Sequence, residues 1–128
     1  MINVQLSGEF AFSNTDVMKR DYLKALATDC WMKISINGEV FYDDWVCPLE
    51  LYFQYLRWKE HTLKNNMQSF HYVSDDNAAN PILSFCYMND QWAISSCLVV
   101  NHVYQGLSTE DIFNFFNSFE EQLFAHKV

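Results

Sequence analysis

Glycine and proline are scarce in this chain: its 128 residues include 3 Gly and 2 Pro. Flexible linkers and low-complexity tracts are therefore not expected, and no repeat of solenoid period appears. The few glycines also exclude a Gly-rich phosphate-binding loop. No apolar run approaches the roughly 20 residues that cross a bilayer, and the N-terminus lacks the basic and then apolar regions of a secretory signal. We expect one cytoplasmic domain, residues 1–128, that has no membrane partner.

Positive charge is scarce as well. Lys and Arg number 8 against 16 Asp and Glu, which gives a net charge of −8, and no Lys or Arg lies between Asn65 and His126. This imbalance argues against a nucleic-acid partner, because Lys and Arg supply the affinity for a phosphate backbone. An acidic surface serves either solubility, which is the commoner reason, or the recognition of a basic partner.

The cysteines and histidines show no spacing typical of a metal or catalytic site. The 4 Cys form no C-x-x-C pair, and no His lies in an H-E-x-x-H motif. The acidic residues lie in predicted loops, without the burial that tunes a carboxyl group for acid–base catalysis. We therefore expect no metal, no cofactor and no enzymatic activity; a small enzyme that uses surface carboxylates is the third choice. The thiols are expected to be buried and reduced; they are Cys30, Cys47, Cys86 and Cys97.

Hydrophobic periodicity predicts that the domain is organised around one helix, from Pro48 to Lys64. Pro48 suits the first helical position, where its missing N–H has no helical partner. Two apolar stripes cover most of the circumference, and such a helix is normally buried on more than one side. Its aromatic residues are therefore more often core than a platform for a ligand. The stripes are Leu49, Tyr52, Phe53, Leu56 and Leu63, and Leu51, Tyr55 and Trp58; the polar strip between them is Glu50, Gln54, Arg57 and His61.

The other elements follow from periodicity and turn signals. Asn37-Gly38 and Asn89-Asp90 predict two hairpin turns, and Ser108 with Asp111 predicts a capping box. The predicted class is α+β, a single domain with a mainly antiparallel sheet and packed helices in the order βαββαβββα. The predicted strands are 2–12, 31–36, 40–45, 68–74, 82–88 and 91–102, and the predicted helices are 13–27, 48–64 and from 108 onward.

Chain direction gathers acidic residues at one end of this predicted domain. A helix of about 16 residues is roughly as long as a seven-residue strand, so the central helix should run antiparallel to the strands before and after it. The strand that ends near Trp45 and the start of the last helix then share one end, the acidic end. Taken singly, each acid there is better explained by a turn or a helix start, but seven carboxylates at one end with almost no compensating cation together favour a partner surface. The predicted partner-binding residues are Asp29, Asp43, Asp44, Asp75, Asp76, Glu110 and Asp111. The opposite end is expected to be mostly neutral and consists of the turns Asn37-Gly38, Asn65-Asn66 and Asn89-Asp90.

Several segments resemble a known group of proteins. They are Ile36 to Tyr42 (INGEVFY), Pro48 to Trp58, Asn80 to Phe85 (NPILSF) and Trp92 to Ser96 (WAISS). In these segments, and in layout over most of the chain, the protein resembles bacterial immunity proteins of polymorphic toxin systems, including those of contact-dependent growth inhibition. The resemblance implies a protein that binds the C-terminal domain of a toxin, commonly a basic nuclease, and blocks its active site or substrate path. It implies no catalytic residues.

The sequence therefore supports the hypothesis of an immunity protein that neutralises a cognate basic toxin domain through its acidic end. Carboxylates at that end would mimic phosphates, steer association and pair with Lys and Arg of the toxin. The alternative is a non-catalytic interaction or regulatory module of another partner, with an acidic surface that serves solubility.

Overall fold

The computed structural model describes residues 1–64, 66–75 and 79–128, which form two antiparallel sheets with helices packed on them. Asn65 and Asp76 lie outside these residues. The predicted class, an α+β domain with antiparallel strands, is confirmed. In chain order the elements are β1 (Ile2–Ser7), α1 (Asn14–Met18), α2 (Tyr22–Leu26), β2 (Cys30–Ile36), β3 (Glu39–Val46), α3 (Pro48–Lys64), β4 (Phe70–Tyr72), β5 (Leu83–Met88), β6 (Gln91–Ser96), β7 (Val99–Leu107) and α4 (Thr109–Phe124).

Two sheets replace the single sheet expected from the sequence. The first has the strand order β1-β2-β3 and the second has the order β4-β5-β6-β7. After α3, the chain enters the second sheet at β4, which forms the edge opposite to β7. β4 therefore does not pair with β3. Instead β7 approaches β3, where the His102 ring meets the Phe41 ring edge-on with centroids 5.3 Å apart.

The two predicted hairpin turns are confirmed, and the predicted strand 91–102 is wrong. Both residues of Asn37-Gly38 and of Asn89-Asp90 have positive φ, as their turns require. The segment 91–102, however, reverses direction between β6 and β7. The Leu98 N–H donates a hydrogen bond to Ser96 Oγ (3.1 Å), so a serine side chain stabilises this turn where glycine or proline would have marked it in the sequence.

The predicted first helix is likewise divided in two. The backbone turns at Arg20, whose φ is +48°, and Asp21 then caps α2 by accepting a hydrogen bond from the Lys24 N–H (3.1 Å). An aspartate favours the start of a helix over its interior because its side chain competes for backbone N–H groups.

The core lies around α3, as its sequence pattern predicts. Tyr55 stacks on Phe116 of α4, with ring centroids 4.2 Å apart and planes at 13°, and Trp58 contacts Phe116 and Phe70. Tyr52 and Phe53 are also buried. The interpretation of these helix aromatics as core is confirmed.

Glutamine side chains cover the free edge of each sheet. Gln122 of α4 accepts a hydrogen bond from the Leu6 N–H (2.8 Å) and donates one to the Val4 carbonyl (2.7 Å). Gln54 of α3 makes the same pair of bonds to the N–H and carbonyl of Val73, at 3.0 and 2.7 Å. Each amide occupies the positions that another strand would use, which protects the edge from pairing with another chain.

The expectation of four buried thiols holds for Cys30 and Cys47 only. Cys86 and Cys97 are exposed, because Cys86 lies on the outer face of β5 and Cys97 lies in the turn after β6.

Candidate protein-binding surface

The outer face of the first sheet carries two tryptophans that pack on each other. Trp31 of β2 lies opposite Trp45 of β3, and their rings meet edge-to-face with centroids 5.2 Å apart and planes at 81°, a favoured geometry for aromatic pairs. Trp31 is partly buried, whereas 57% of Trp45 is exposed. Tryptophan is highly buried on average, and exposed tryptophans are enriched among the residues that dominate binding energy. The pair therefore indicates a binding surface.

Three of the predicted partner-binding acids lie beside these tryptophans. The Trp31 indole N–H donates a hydrogen bond to Asp43. Asp29 and Asp44 line a pocket of about 260 Å³ that Trp45 also lines; Asp44 lies opposite the buried Met32 and so projects from the inner face of β3 into this pocket. One cation is near, because Lys33 lies opposite Asp43 in the strand pairing. We name these five residues the Trp–Asp surface: Trp31, Trp45, Asp29, Asp43 and Asp44.

Asp75 lies at the same end of the molecule but faces a different cleft. Its backbone N–H donates to the buried carboxyl group of Glu50 (3.2 Å), which also accepts a hydrogen bond from the Tyr72 hydroxyl (2.9 Å). Burial, together with the charge of Glu50, raises the pKa of Tyr72. The neighbouring Ser74 lines the 260 Å³ pocket, whereas Asp75 lines the cleft along α3. Asp75 is therefore adjacent to the Trp–Asp surface and not part of it.

Glu110 and Asp111 lie at the other end of the molecule, so the prediction that they join the acidic end is wrong. Leu107, the last residue of β7, lies opposite Trp92 near the start of β6, so α4 begins beside the Asn89-Asp90 turn. The cause is the reversal between β6 and β7, which sends the chain back across the sheet once more. The acids are therefore divided between both ends.

The sequence matches the model of a family whose description is "domain of unknown function", DUF7878, over residues 3–126. The chain belongs to DUF7878. No curated protein and no solved structure matches this DUF7878 chain. Over the described residues, no helix combines the length and the apolar character needed to cross a bilayer.

Sequence reasoning missed the tryptophan pair of this DUF7878 chain because a β-bulge sets the pairing. The hairpin register shifts by one residue between Ile34 and Ser35. Without that shift, Trp31 would lie opposite Asp44, and Trp45 would point toward the core, because side chains alternate along a strand. The turn and both strands were readable from the sequence, but the sequence carries no recognised signal for the bulge.

The Trp–Asp surface presents indole rings beside carboxylates. Among the described residues of this DUF7878 chain, no three His, Cys, Asp or Glu side chains group as metal ligands. Burial raises the pKa of Cys30, which follows Asp29, to about 12, so the thiolate needed for nucleophilic attack is scarce at neutral pH. Indole rings and carboxylates remain, and they suit contact with a partner that presents apolar and cationic groups.

Proposed function

We propose that this DUF7878 chain is a cytoplasmic immunity protein that binds a basic bacterial toxin domain through the Trp–Asp surface. One observation carries the proposal: an edge-to-face tryptophan pair, with Trp45 largely exposed, lies beside Asp29, Asp43 and Asp44. Tryptophans supply much of the binding energy in protein interfaces. Carboxylates beside them steer a basic partner toward the surface and exclude acidic ones.

The net charge and the sequence resemblance support a toxin as the partner. The net charge of −8 disfavours nucleic acid and favours a cationic protein. Immunity proteins, which the chain resembles in segments and layout, commonly bind basic nuclease domains. On this proposal the carboxylates occupy the cationic groups with which a nuclease holds phosphates. The protein acts by occupying its partner and performs no catalysis itself.

The division of the acids between both ends of the molecule favours a second candidate function. Asp90, Glu110 and Asp111 lie at the opposite end of the molecule from the Trp–Asp surface. One interface at the Trp–Asp surface therefore cannot use all of the negative charge. An interaction or regulatory module with a different partner, and with acidic residues that provide solubility, fits this spread.

A charge-reversal experiment separates the two functions. On this proposal the open reading frame directly upstream should encode a large secreted protein with a basic C-terminal domain, and that domain is the probe. Asp29→Lys/Asp43→Lys, at two exposed positions, should slow its association about tenfold or more in 50 mM salt, because charges near an interface act mainly on the association rate. The effect should shrink at 500 mM salt, where screening is stronger.

The matched control is Glu39→Lys/Glu110→Lys, which changes the net charge equally at the opposite end of the molecule from the Trp–Asp surface. It should leave the association rate within about threefold of the wild-type rate, since distant charges are largely screened. An equal loss for both variants would indicate a general charge effect and would favour the second candidate. An absence of binding by the wild type would reject the toxin proposal.

A further inference from the structure

A second cavity lies between α3 and the edge strand β4, separate from the Trp–Asp surface. It has a volume of about 560 Å³, within the range of small-molecule sites. Its floor contains Trp58 and Phe70, which are almost fully buried and whose rings meet edge-on with centroids 5.8 Å apart. Tyr22 of α2 also lines it. Tyr22 is partly exposed, so among these aromatic residues its ring is the one that a ligand can contact most.

Basic side chains line this cavity, although the protein is acidic. Arg57 and His61 of α3 and His71 of β4 are exposed along it. Within the described residues, no carboxylate lies within 4 Å of the Arg57 guanidinium: the ion pair found there joins Arg20 to Glu60. Asp75 is the acidic residue of the lining. Arg57 has no carboxylate partner in the part of the chain that the structure describes, although the chain has twice as many acids as bases, and it therefore suits an anionic group from outside.

Several polar groups of the lining are already fixed by hydrogen bonds. His71 Nδ1 lies 2.8 Å from Ser84 Oγ, and the Trp58 indole N–H donates to the Gln68 carbonyl at 2.8 Å. Gln54 holds the N–H and carbonyl of Val73. Since that part of the β4 edge is occupied, an extended peptide cannot pair there without displacing Gln54. The cavity suits a small ligand better than an added strand.

We propose that this cavity binds a small aromatic anion. Its ring would lie against Tyr22, and its carboxylate or phosphate would face Arg57 and His71. A guanidinium pairs with both groups through two parallel hydrogen bonds. This proposal concerns a separate site and does not depend on the toxin proposal.

Matched pairs of probes test it: adenosine monophosphate against adenosine, and indole-3-acetate against indole-3-acetamide. The anion of at least one pair should bind about tenfold or more tightly than its neutral counterpart, since hydrogen bonds to charged groups contribute roughly 1.5–3 kcal/mol. It should also shift the Trp58 indole resonance in NMR spectra and leave that of Trp31 unchanged. Preference in the first pair alone identifies a phosphate ligand, and preference in the second alone identifies a carboxylate.

The control uses two basic residues of the same helix. Arg57→Gln should abolish the preference for the anion without changing the thermal unfolding midpoint. Lys59→Gln removes the same charge two residues away, where the ammonium group lies over the Tyr55 ring, and should keep the preference. The proposal is wrong if neither pair shows a preference, or if Lys59→Gln abolishes it as fully as Arg57→Gln.

Discussion

Glu50 is fully buried, although helical periodicity places it in a polar strip of α3. Its carboxyl group joins the first turn of α3 to the end of β4 through the Tyr72 hydroxyl and the Asp75 N–H. The position in the first turn of a helix also favours a negative group. The sequence could not show this role, because Tyr72 is 22 residues away in the chain and its contact depends on the tertiary fold.

Replacing Glu50 should therefore cost more stability than replacing an exposed glutamate. Glu50→Ala removes the acceptor of the Asp75 N–H and the nearer acceptor of the Tyr72 hydroxyl, which keeps its contacts with the Cys47 backbone, and we expect a loss of about 2–4 kcal/mol in the free energy of unfolding. The matched control, Glu121→Ala, should change it by about 0.5 kcal/mol or less. Urea unfolding of both variants measures the difference. Equal unfolding midpoints would contradict the structural role of Glu50.

The cysteines should differ strongly in reactivity. Cys86 and Cys97 are exposed, whereas Cys30 is buried and its pKa is raised to about 12 by burial and by Asp29. Because the thiolate is the reactive form, iodoacetamide at pH 8 should alkylate Cys86 and Cys97 first and Cys30 only after unfolding. Peptide mass spectrometry over time gives the order. Alkylation of Cys30 in the folded protein at the rate of Cys86 would contradict its burial.

At the scale of elements, α3 and α4 each protect one sheet through a single glutamine. Gln122→Ala should remove two hydrogen bonds from the β1 edge and lower the free energy of unfolding by about 1–3 kcal/mol. The opened edge should also favour association of chains during refolding, which light scattering detects. Gln105→Ala, on the exposed side of β7, is the control and should change neither quantity. If Gln122→Ala behaves as Gln105→Ala does, the edge is protected by another contact.

The elements that the sequence predicted are those with local signals. The two Asn-containing turns, the bounds of α3 and the capping box of Ser108 and Asp111 all agree with the structure. The reversal between β6 and β7 contains no glycine or proline. Its sequence pattern therefore predicts a continuous strand instead of a turn. Because no turn is predicted there, the prediction places Glu110 and Asp111 at the wrong end of the molecule. It places Asp29 and Asp44 together at one end, where both line the same pocket.

At the scale of the whole molecule, buried tyrosines should make the free energy of unfolding decrease at alkaline pH. Burial, the main cause, raises the pKa of Tyr55 to about 12 and also raises the pKa values of Tyr42, Tyr52 and Tyr72. In the unfolded chain tyrosine loses its proton near pH 10. The native state therefore binds protons more tightly, and the stability that these groups contribute is present in full below about pH 10 and is lost as the pH rises toward 12.

The urea midpoint should accordingly begin to fall above about pH 8.5, where Cys30 titrates in the unfolded chain, and should fall more steeply above about pH 10, where the tyrosines do. Tyr55→Phe removes one of the titrating groups and should make that fall less steep. A midpoint that stays constant to pH 12 would contradict the burial of these hydroxyl groups.

The central claim, that the Trp–Asp surface binds a basic protein, is tested most directly by one affinity measurement. Isothermal titration calorimetry with the upstream-encoded toxin domain would compare Trp45→Ala with Met88→Ala, which also truncates a largely exposed apolar side chain. Truncation of a dominant interface residue costs at least about 2 kcal/mol, so Trp45→Ala should raise the Kd about 30-fold or more, and Met88→Ala should leave it within about twofold. A Trp45→Ala variant that binds the toxin domain as tightly as the wild type would contradict the account.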